Sequence, residues 1–406
     1  MTKRWLIPIL LLMVFALAAC GGQPEVTPTP EATPTATPAH TPEPTPTPDP
    51  IAERLAGMTV EQKVGQLLVA GIDGTEPGDD GAQAVADYQV GGVILFSRNV
   101  ESAGQLTQLT NGLKALNGDY VPLFLSVDQE GGRVDRMPPE VEELPAAYDY
   151  IRAGGDPQAR GQVLAAECAA FGLNLNFSTC LDVWSNPENT VIGDRAYGTD
   201  WESVTQAGLA VNQGLTEGGV IPVVKHFPGH GDTLEDSHET LPVVDKPLEE
   251  LKESELKPFQ AAVDQGVPVE MVGHILLRQI DPENPASLSD PVVTGLLRQE
   301  LGFDGVVCTD DLTMAAISDS YGMGEAAVLA VEAGCDLLLV CHEADNLTAA
   351  RDALLEAVNS GRISMDRLDE SVYRLLALKA EWGLTNLPVE EPDIEALNAR
   401  IQVILP

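Results

Sequence analysis

Positive charge is what this chain lacks most. It sets 23 lysines and arginines against 62 aspartates and glutamates, a formal net charge of −39. No lysine/arginine cluster occurs beyond the first few residues. Phosphate backbones are bound through such clusters, so nucleic acid is excluded as a partner. The acidity reads as a solvated, self-repelling surface. Long apolar runs are also scarce. The N-terminal one, Trp5 to Phe15, is shorter than the ~20 residues that cross a bilayer. Beyond Cys20 the cysteines stand at 168, 180, 308, 335 and 341, without the C-x-x-C spacing of a metal site. Three fall in apolar, strand-like segments and are expected as buried thiols. A Cys335–Cys341 bridge would have to span a single strand, which disulfide geometry disfavours. No G-x-S-x-G elbow and no G-x-x-x-x-G-K-[ST] loop is present, so neither a serine nucleophile nor a P-loop is indicated.

The N-terminus is present for delivery rather than for folding. Lys3 and Arg4 precede the apolar run, and Leu17-Ala18-Ala19-Cys20 follows it. This arrangement resembles a bacterial lipoprotein signal, implying cleavage before Cys20 and acylation of its thiol. A plain secretory signal with a chance cysteine is the alternative. Gln23 to Pro50 then holds ten prolines and eight threonines with no lysine or arginine. Such a stretch cannot bury a core and is expected as an extended tether, ~3.1 Å per residue. The expected organisation is a signal at 1–20, a tether at 21–50, a catalytic domain at 51–384 and an acidic, then helical, tail at 385–406. The corresponding location is extracytoplasmic, on the bacterial cell membrane through a lipid on Cys20.

From Ile51 onward, short apolar runs alternate with helical patterns. Strands are expected near 65–72, 92–97, 122–128, 173–179, 221–226, 269–275, 305–310 and 335–341. Helix-like segments lie between them, among them Ser102–Leu116, Val204–Leu215, Glu255–Asp264 and Pro291–Leu301. Runs rich in β-branched residues and leucine suit strands buried on both faces, and β-α alternation implies a parallel sheet. Eight units predict an α/β fold, a (β/α)8 TIM-type barrel forming one catalytic domain, with its site at the C-terminal strand ends.

Those ends carry the ionisable residues. The third strand ends in Asp128 and enters QEGGRVDR; the fourth is followed by Ile192-Gly193-Asp194-Arg195. The fifth ends in Lys225-His226 and opens the loop KHFPGHGDTLEDSH. The sixth ends at His274, the seventh at Asp310-Asp311, and the eighth is followed by His342. Any one of these could be a helix cap; together they describe a polar site in a concave mouth.

The histidine loop narrows the chemistry. His226-x-x-x-His230 has the spacing of helical zinc ligands, but Pro228, Gly229 and Gly231 oppose a helix there, so no metal is expected. Carboxylate chemistry fits better. Asp310 ends a strand, and the loop after the fifth strand can bring a proton donor across the mouth, as glycoside hydrolysis requires. His238 could be that donor, with Asp236 accepting a hydrogen bond from one imidazole nitrogen while the other faces substrate. Glu235 and Glu239 are rival acids.

The segments KHFPGHGDTLEDSH, VDQEGGRVDR, IGDRAYG, PASLSDPVVTGLLRQELGFDGVVCTDDLTM and AVEAGCDLLLV resemble glycoside hydrolase family 3, in its β-N-acetylhexosaminidase (NagZ-type) branch. The likeness runs from about Ile51 to Leu384. It implies a retaining mechanism without metal or other cofactor, with Asp310 as nucleophile, His238 as acid/base and Asp236 as its partner. It places Asp128, Arg136, Arg195, Lys225 and His226 on a terminal N-acetylglucosamine. By the same likeness His230 and Asp232 shape the loop, and Asp311 is not the nucleophile. The partner it implies is a small glycan, bound by a monomer. Wall-derived, chitin-type and host glycans stay open as sources. So do β-glucosidase-like or phosphate-using chemistry and an inactive, anchored sugar-binding lipoprotein; the last has no reason to keep nucleophile and acid together.

Overall fold

The computed structural model describes residues 49–406. The expected signal, the expected acylation site Cys20 and the expected tether up to residue 48 lie outside the described residues. Among those described, no helix is long and apolar enough to cross a membrane. Asp49 caps the helix Pro50–Ala56 by accepting from the N–H groups of Ile51 and Ala52. Pro50 stands at the first position of that helix, where its missing N–H costs nothing.

Eight parallel strands close a barrel: β1 (Leu68–Gly71), β2 (Gly92–Leu95), β3 (Phe124–Val127), β4 (Leu175–Cys180), β5 (Ile221–Phe227), β6 (Val269–Val272), β7 (Val306–Asp311) and β8 (Leu337–Val340). Neighbours in sequence are neighbours in the sheet, and β8 returns to β1 through Leu68↔Leu338, Val69↔Leu339 and Ala70↔Val340. Helices such as Ala103–Asn117, Pro157–Ala170 and Trp201–Glu217 make the crossovers. Nearly every strand residue is buried, because a parallel barrel has helices outside and side-chain layers inside. The expected strand at 65–72 is corrected at its start. Thr59 and Gln62 form a capping box that begins a helix at Val60, and this helix runs to Gln66.

The N-terminal end of the barrel is sealed by Lys379, from the helix Met365–Glu381. Its Nζ donates to Gln66 Oε1 at 2.9 Å and Gly91 O at 2.8 Å, over the Phe124 ring at 4.5 Å. Burial drives its pKa well below the usual lysine value. The tail also belongs to the folded body. Leu397 and Ile401 of the helix Ile394–Ile404 join the core, and Tyr150 Oη donates to Ile404 O. All five described cysteines are free and buried.

Candidate active site

The strands' C-terminal ends surround a cavity of about 480 Å³. Asp128, Arg136, Arg195, Lys225, His226, His230, His238, Asp310 and Asp311 share its wall with apolar residues including Ile94, Met271 and Leu339. Asp128 and Asp310, 182 residues apart in the sequence, thus meet in one mouth.

On one side the charges form a chain. Lys225, 2% exposed, stands near the end of β5 with Nζ 2.6 Å from Asp128 Oδ1 and 2.7 Å from Glu130 Oε1. Glu130 also receives Arg195 through both carboxylate oxygens, at 2.9 and 2.8 Å. Burial alone would raise the Glu130 pKa, but Arg195 and Lys225 hold it far below the carboxylate range. Burial would likewise lower Lys225, and the carboxylates of Asp128 and Glu130 outweigh it to raise the pKa. Glu130, Arg195 and Lys225 are therefore charged and fixed before any ligand arrives. The turn that carries Glu130 needs glycine: Gly131 and Gly132 have φ of +83° and +58°, and a Cβ on Gly132 would lie 2.7 Å from Ala146 Cα.

A second buried pair orients the next residue. His226 Nδ1 lies 2.6 Å from Asp182 Oδ2, and the other Asp182 oxygen accepts the His230 N–H at 2.5 Å. Burial opposes ionisation of Asp182, but the neighbouring histidines and hydrogen bonds bring its pKa to about 2. Donation from Nδ1–H leaves Nε2 of His226 an acceptor on the cavity side, where Arg195 Nη2 lies 3.5 Å from it. The peptide bonds Lys225–His226 and Phe227–Pro228 are cis.

The loop beyond β5 turns back sharply. A Cβ on Gly231 would lie 1.9 Å from Val183 O, so only glycine allows that approach. His230 is buried in the turn, 2.6 Å from Thr233 Oγ1 and 3.2 Å from Ser237 Oγ. Burial lowers its pKa to about 4, so it stays neutral. Asp232 meets Lys246 Nζ at 2.8 Å, and Lys246 meets Glu255 at 2.6 Å, tying both ends of the loop to the barrel. At the tip, exposed His238 places Nδ1 2.8 Å from Asp236 Oδ1. Nε2 is left to the cavity that His238 lines.

Asp310 faces this loop from the end of β7. The Asp311 N–H donates to its Oδ1 at 2.9 Å, leaving Oδ2 without a protein donor among the described residues. Burial would raise its pKa, but His274, His226 and that N–H lower it. Asp311 is used differently: its carboxylate accepts from the N–H groups of Thr313 and Cys341 and ties β7 to β8. His274 departs from expectation. It lies outside the cavity wall, buried, with Nδ1 2.7 Å from Ser287 Oγ and Nε2 2.9 Å from Asp311 O. It supports the β7 end from behind.

The chain matches the Glycosyl hydrolase family 3 N terminal domain over residues 59–378. It belongs to glycoside hydrolase family 3. It is 38% identical over 296 residues to a β-hexosaminidase of Thiobacillus denitrificans, covering 70% of this chain and 81% of that protein. A solved family 3 β-N-acetylglucosaminidase from Paenibacillus sp. str. FPU-7 superposes with a TM-score of 0.79 at 43% identity, over 86% of this chain and 68% of that one. A β-N-acetylhexosaminidase from Beutenbergia cavernae gives 0.75 at 33% identity, over 80% and 99%.

Within this family 3 barrel, Glu130 and Asp182 are the residues that sequence reasoning missed. Asp182 stands two positions past β4, in the same kind of place as Asp128 past β3, and that position was the available signal. Cys180, Asp182 and His226 bring their ligating atoms within 4.8 Å of one another. A metal fits poorly there. The Cys180 thiol, whose pKa burial pushes well up, donates to Asp182 Oδ2 at 3.1 Å, the oxygen that His226 Nδ1 also approaches.

Proposed function

We propose that this family 3 glycoside hydrolase is a retaining exo-β-N-acetylglucosaminidase that removes terminal N-acetylglucosamine from glycans. The observation that carries the mechanism is the sharing of one cavity by ionised Asp310 and His238, whose ring Asp236 holds.

In this reading Asp128, Arg136, Arg195, Lys225 and His226 hold the sugar. Asp128, Arg195, Lys225 and His226 are already held by charged partners, so binding requires little reorganisation of these four. Asp310 Oδ2 attacks the anomeric carbon as the glycosidic C–O bond breaks, and His238 Nε2–H gives its proton to the departing oxygen. His238 then takes a proton from water, whose oxygen attacks the anomeric carbon and releases the Asp310 carboxylate. Asp236 holds the His238 ring throughout.

The site residues, and the division into signal, tether, catalytic domain and tail, belong to the same proposal. So do the lipid on Cys20, an extracytoplasmic position on the cell membrane and a monomeric state. Support comes from the order of Lys3-Arg4, the apolar run, Leu17–Cys20 and the proline-threonine stretch.

The test is a panel of aryl β-glycosides of N-acetylglucosamine, glucose and xylose, with and without phosphate. Hydrolysis confined to the first and indifferent to phosphate is expected. Asp310→Ala should reduce it to background with an unchanged circular dichroism spectrum. Near-normal turnover in that variant would remove Asp310 from the role of nucleophile.

A further inference from the structure

We infer that Gln129 and Glu167 are positioning residues for sugar binding: buried behind the cavity wall, they set where Asp128 and Arg136 meet the substrate. This rests on the exo-β-N-acetylglucosaminidase reading, which puts both of those residues on the sugar.

The segment after β3 serves the cavity from its two ends. Asp128 and Arg136 line the wall, whereas Gln129 and Glu167 are fully buried and stand outside it. Between the ends the chain turns back on itself, with the Glu130 N–H donating to Val134 O at 2.9 Å. Gln129 and Arg136 are thereby brought side by side, and Gln129 Oε1 accepts from the Arg136 N–H at 2.7 Å. That bond matters for Arg136. Carboxylates hold Lys225 and Arg195, but among the described residues no carboxylate pairs with the Arg136 guanidinium. Its Nη1 donates to Asp135 O at 3.1 Å, within the same segment. The guanidinium is therefore aimed by the backbone that carries it.

Gln129 is itself held at both backbone groups and both ends of its side chain. Its backbone N–H and C=O pair with the Asn176 side chain from β4, each at 3.0 Å. The Arg136 N–H can only donate, so it keeps the amide oxygen on its side and turns the NH2 group inward. There Nε2 donates to Asp135 Oδ2 at 3.1 Å and to Glu167 Oε2 at 2.9 Å.

Glu167 reaches in from the helical layer. On the helix Pro157–Ala170 it stands about two turns from Arg160, so the two share a face. Both are fully buried. Packing a helix on a barrel calls for apolar residues, and a buried carboxyl or guanidinium is costly unless its hydrogen bonds are made. Here both side chains grip adjacent residues of one segment. Arg160 Nη2 donates to Glu130 O at 2.6 Å and to Pro145 O at 2.8 Å, while Glu167 takes the Gln129 amide. Glu167 acts as a neutral acid. It has one donor, its Oε1 has none among the described residues, and burial with the Asp135 charge raises its pKa to about 8 against the weaker pull of Arg160.

The experiment measures kcat and KM for an aryl β-N-acetylglucosaminide, and Ki for free N-acetylglucosamine, in the full protein and its variants. Gln129→Met and Glu167→Met remove the hydrogen bonds at nearly constant volume. Each should raise KM and Ki at least about fivefold and leave kcat within about threefold, since displaced binding groups weaken the hold on the sugar. The double variant should be no worse than Gln129→Met alone, because the two residues act as one unit. Glu167→Gln keeps a neutral acceptor in place and should hold both constants within about twofold of the parent. A loss confined to kcat, with KM and Ki unchanged, overturns the inference, because it marks a smaller active fraction from a merely structural role. So does Glu167→Gln being as damaging as Glu167→Met, since shape rather than the hydrogen bond would then decide. If a methionine variant does not fold, Glu167→Asp, one methylene too short to reach Gln129, should raise KM and Ki in the same way, and unchanged constants there overturn the inference. Failure of the parent to cleave the aryl substrate overturns the exo-glucosaminidase reading and the inference with it.

Discussion

Asp236 Oδ1 takes two hydrogen bonds from His238, from the ring Nδ1 at 2.8 Å and from the backbone N–H at 2.9 Å. Burial would raise the Asp236 pKa, but these bonds and the ring's charge lower it, so the carboxylate stays ionised. No other hydrogen bond holds the exposed ring among the described residues. Its orientation therefore depends on one carboxylate.

His238→Ala should lose on the order of 10²–10⁴ in kcat with a disaccharide, whose leaving oxygen needs a proton. The loss should be much smaller with a nitrophenyl leaving group. Asp236→Asn should show the same leaving-group dependence at reduced size. Equal losses on both substrates would make His238 a structural residue.

Glu130→Gln removes the charge shared by Lys225 and Arg195, leaving buried Arg195 without its carboxylate and Lys225 with Asp128 alone. Breaking such a pair typically costs about 3–5 kcal/mol. Urea unfolding should show a loss of that order, and KM should rise as the sugar-holding side chains separate. Unchanged stability and KM would show that the two cations do not depend on Glu130.

Glu167 predicts a pH dependence of stability. It is wholly buried beneath the Asp128–Arg136 segment, where Gln129 Nε2 donates to its Oε2 at 2.9 Å and to Asp135 Oδ2 at 3.1 Å. Burial first, then the Asp135 charge, pushes its pKa to about 8. The folded chain thus keeps a proton that the unfolded chain releases, so this contribution is fully present below about pH 4.5 and is lost as pH rises through about 8. The melting temperature should fall across that window, and Glu167→Gln should flatten the fall. An identical slope in the variant would assign the effect to another group.

Chelation should leave the rate unchanged, because Asp182 is engaged by protonated donors on both sides. Inactivation by a chelator and recovery with zinc would instead place an ion among Cys180, Asp182 and His226.

Much of the barrel was legible because its physics is local. Leu337–Val340 is an apolar run, as is the first half of Val306–Asp311, and strands buried on both faces read that way. The start of β1 was not legible, because apolar residues continue through the preceding helix and only the Thr59–Gln62 cap separates the two. The loop from Lys225 to His238 stood out by composition. Glu130 and Asp182 did not: their partners lie 65 and 44 residues away, and no local pattern records such a meeting.

The sequence by itself determined eight buried strands, a barrel with polar strand ends, and a histidine loop after the fifth, since periodicity and composition act over a few residues. Only the tertiary structure decided which of those polar groups work together. It put Lys225 and Arg195 on Glu130, His226 on Asp182, and His274 behind the wall rather than in it. Barrel closure is the reason. It brings the ends of distant strands to one rim, where burial and charge assign each group its partner.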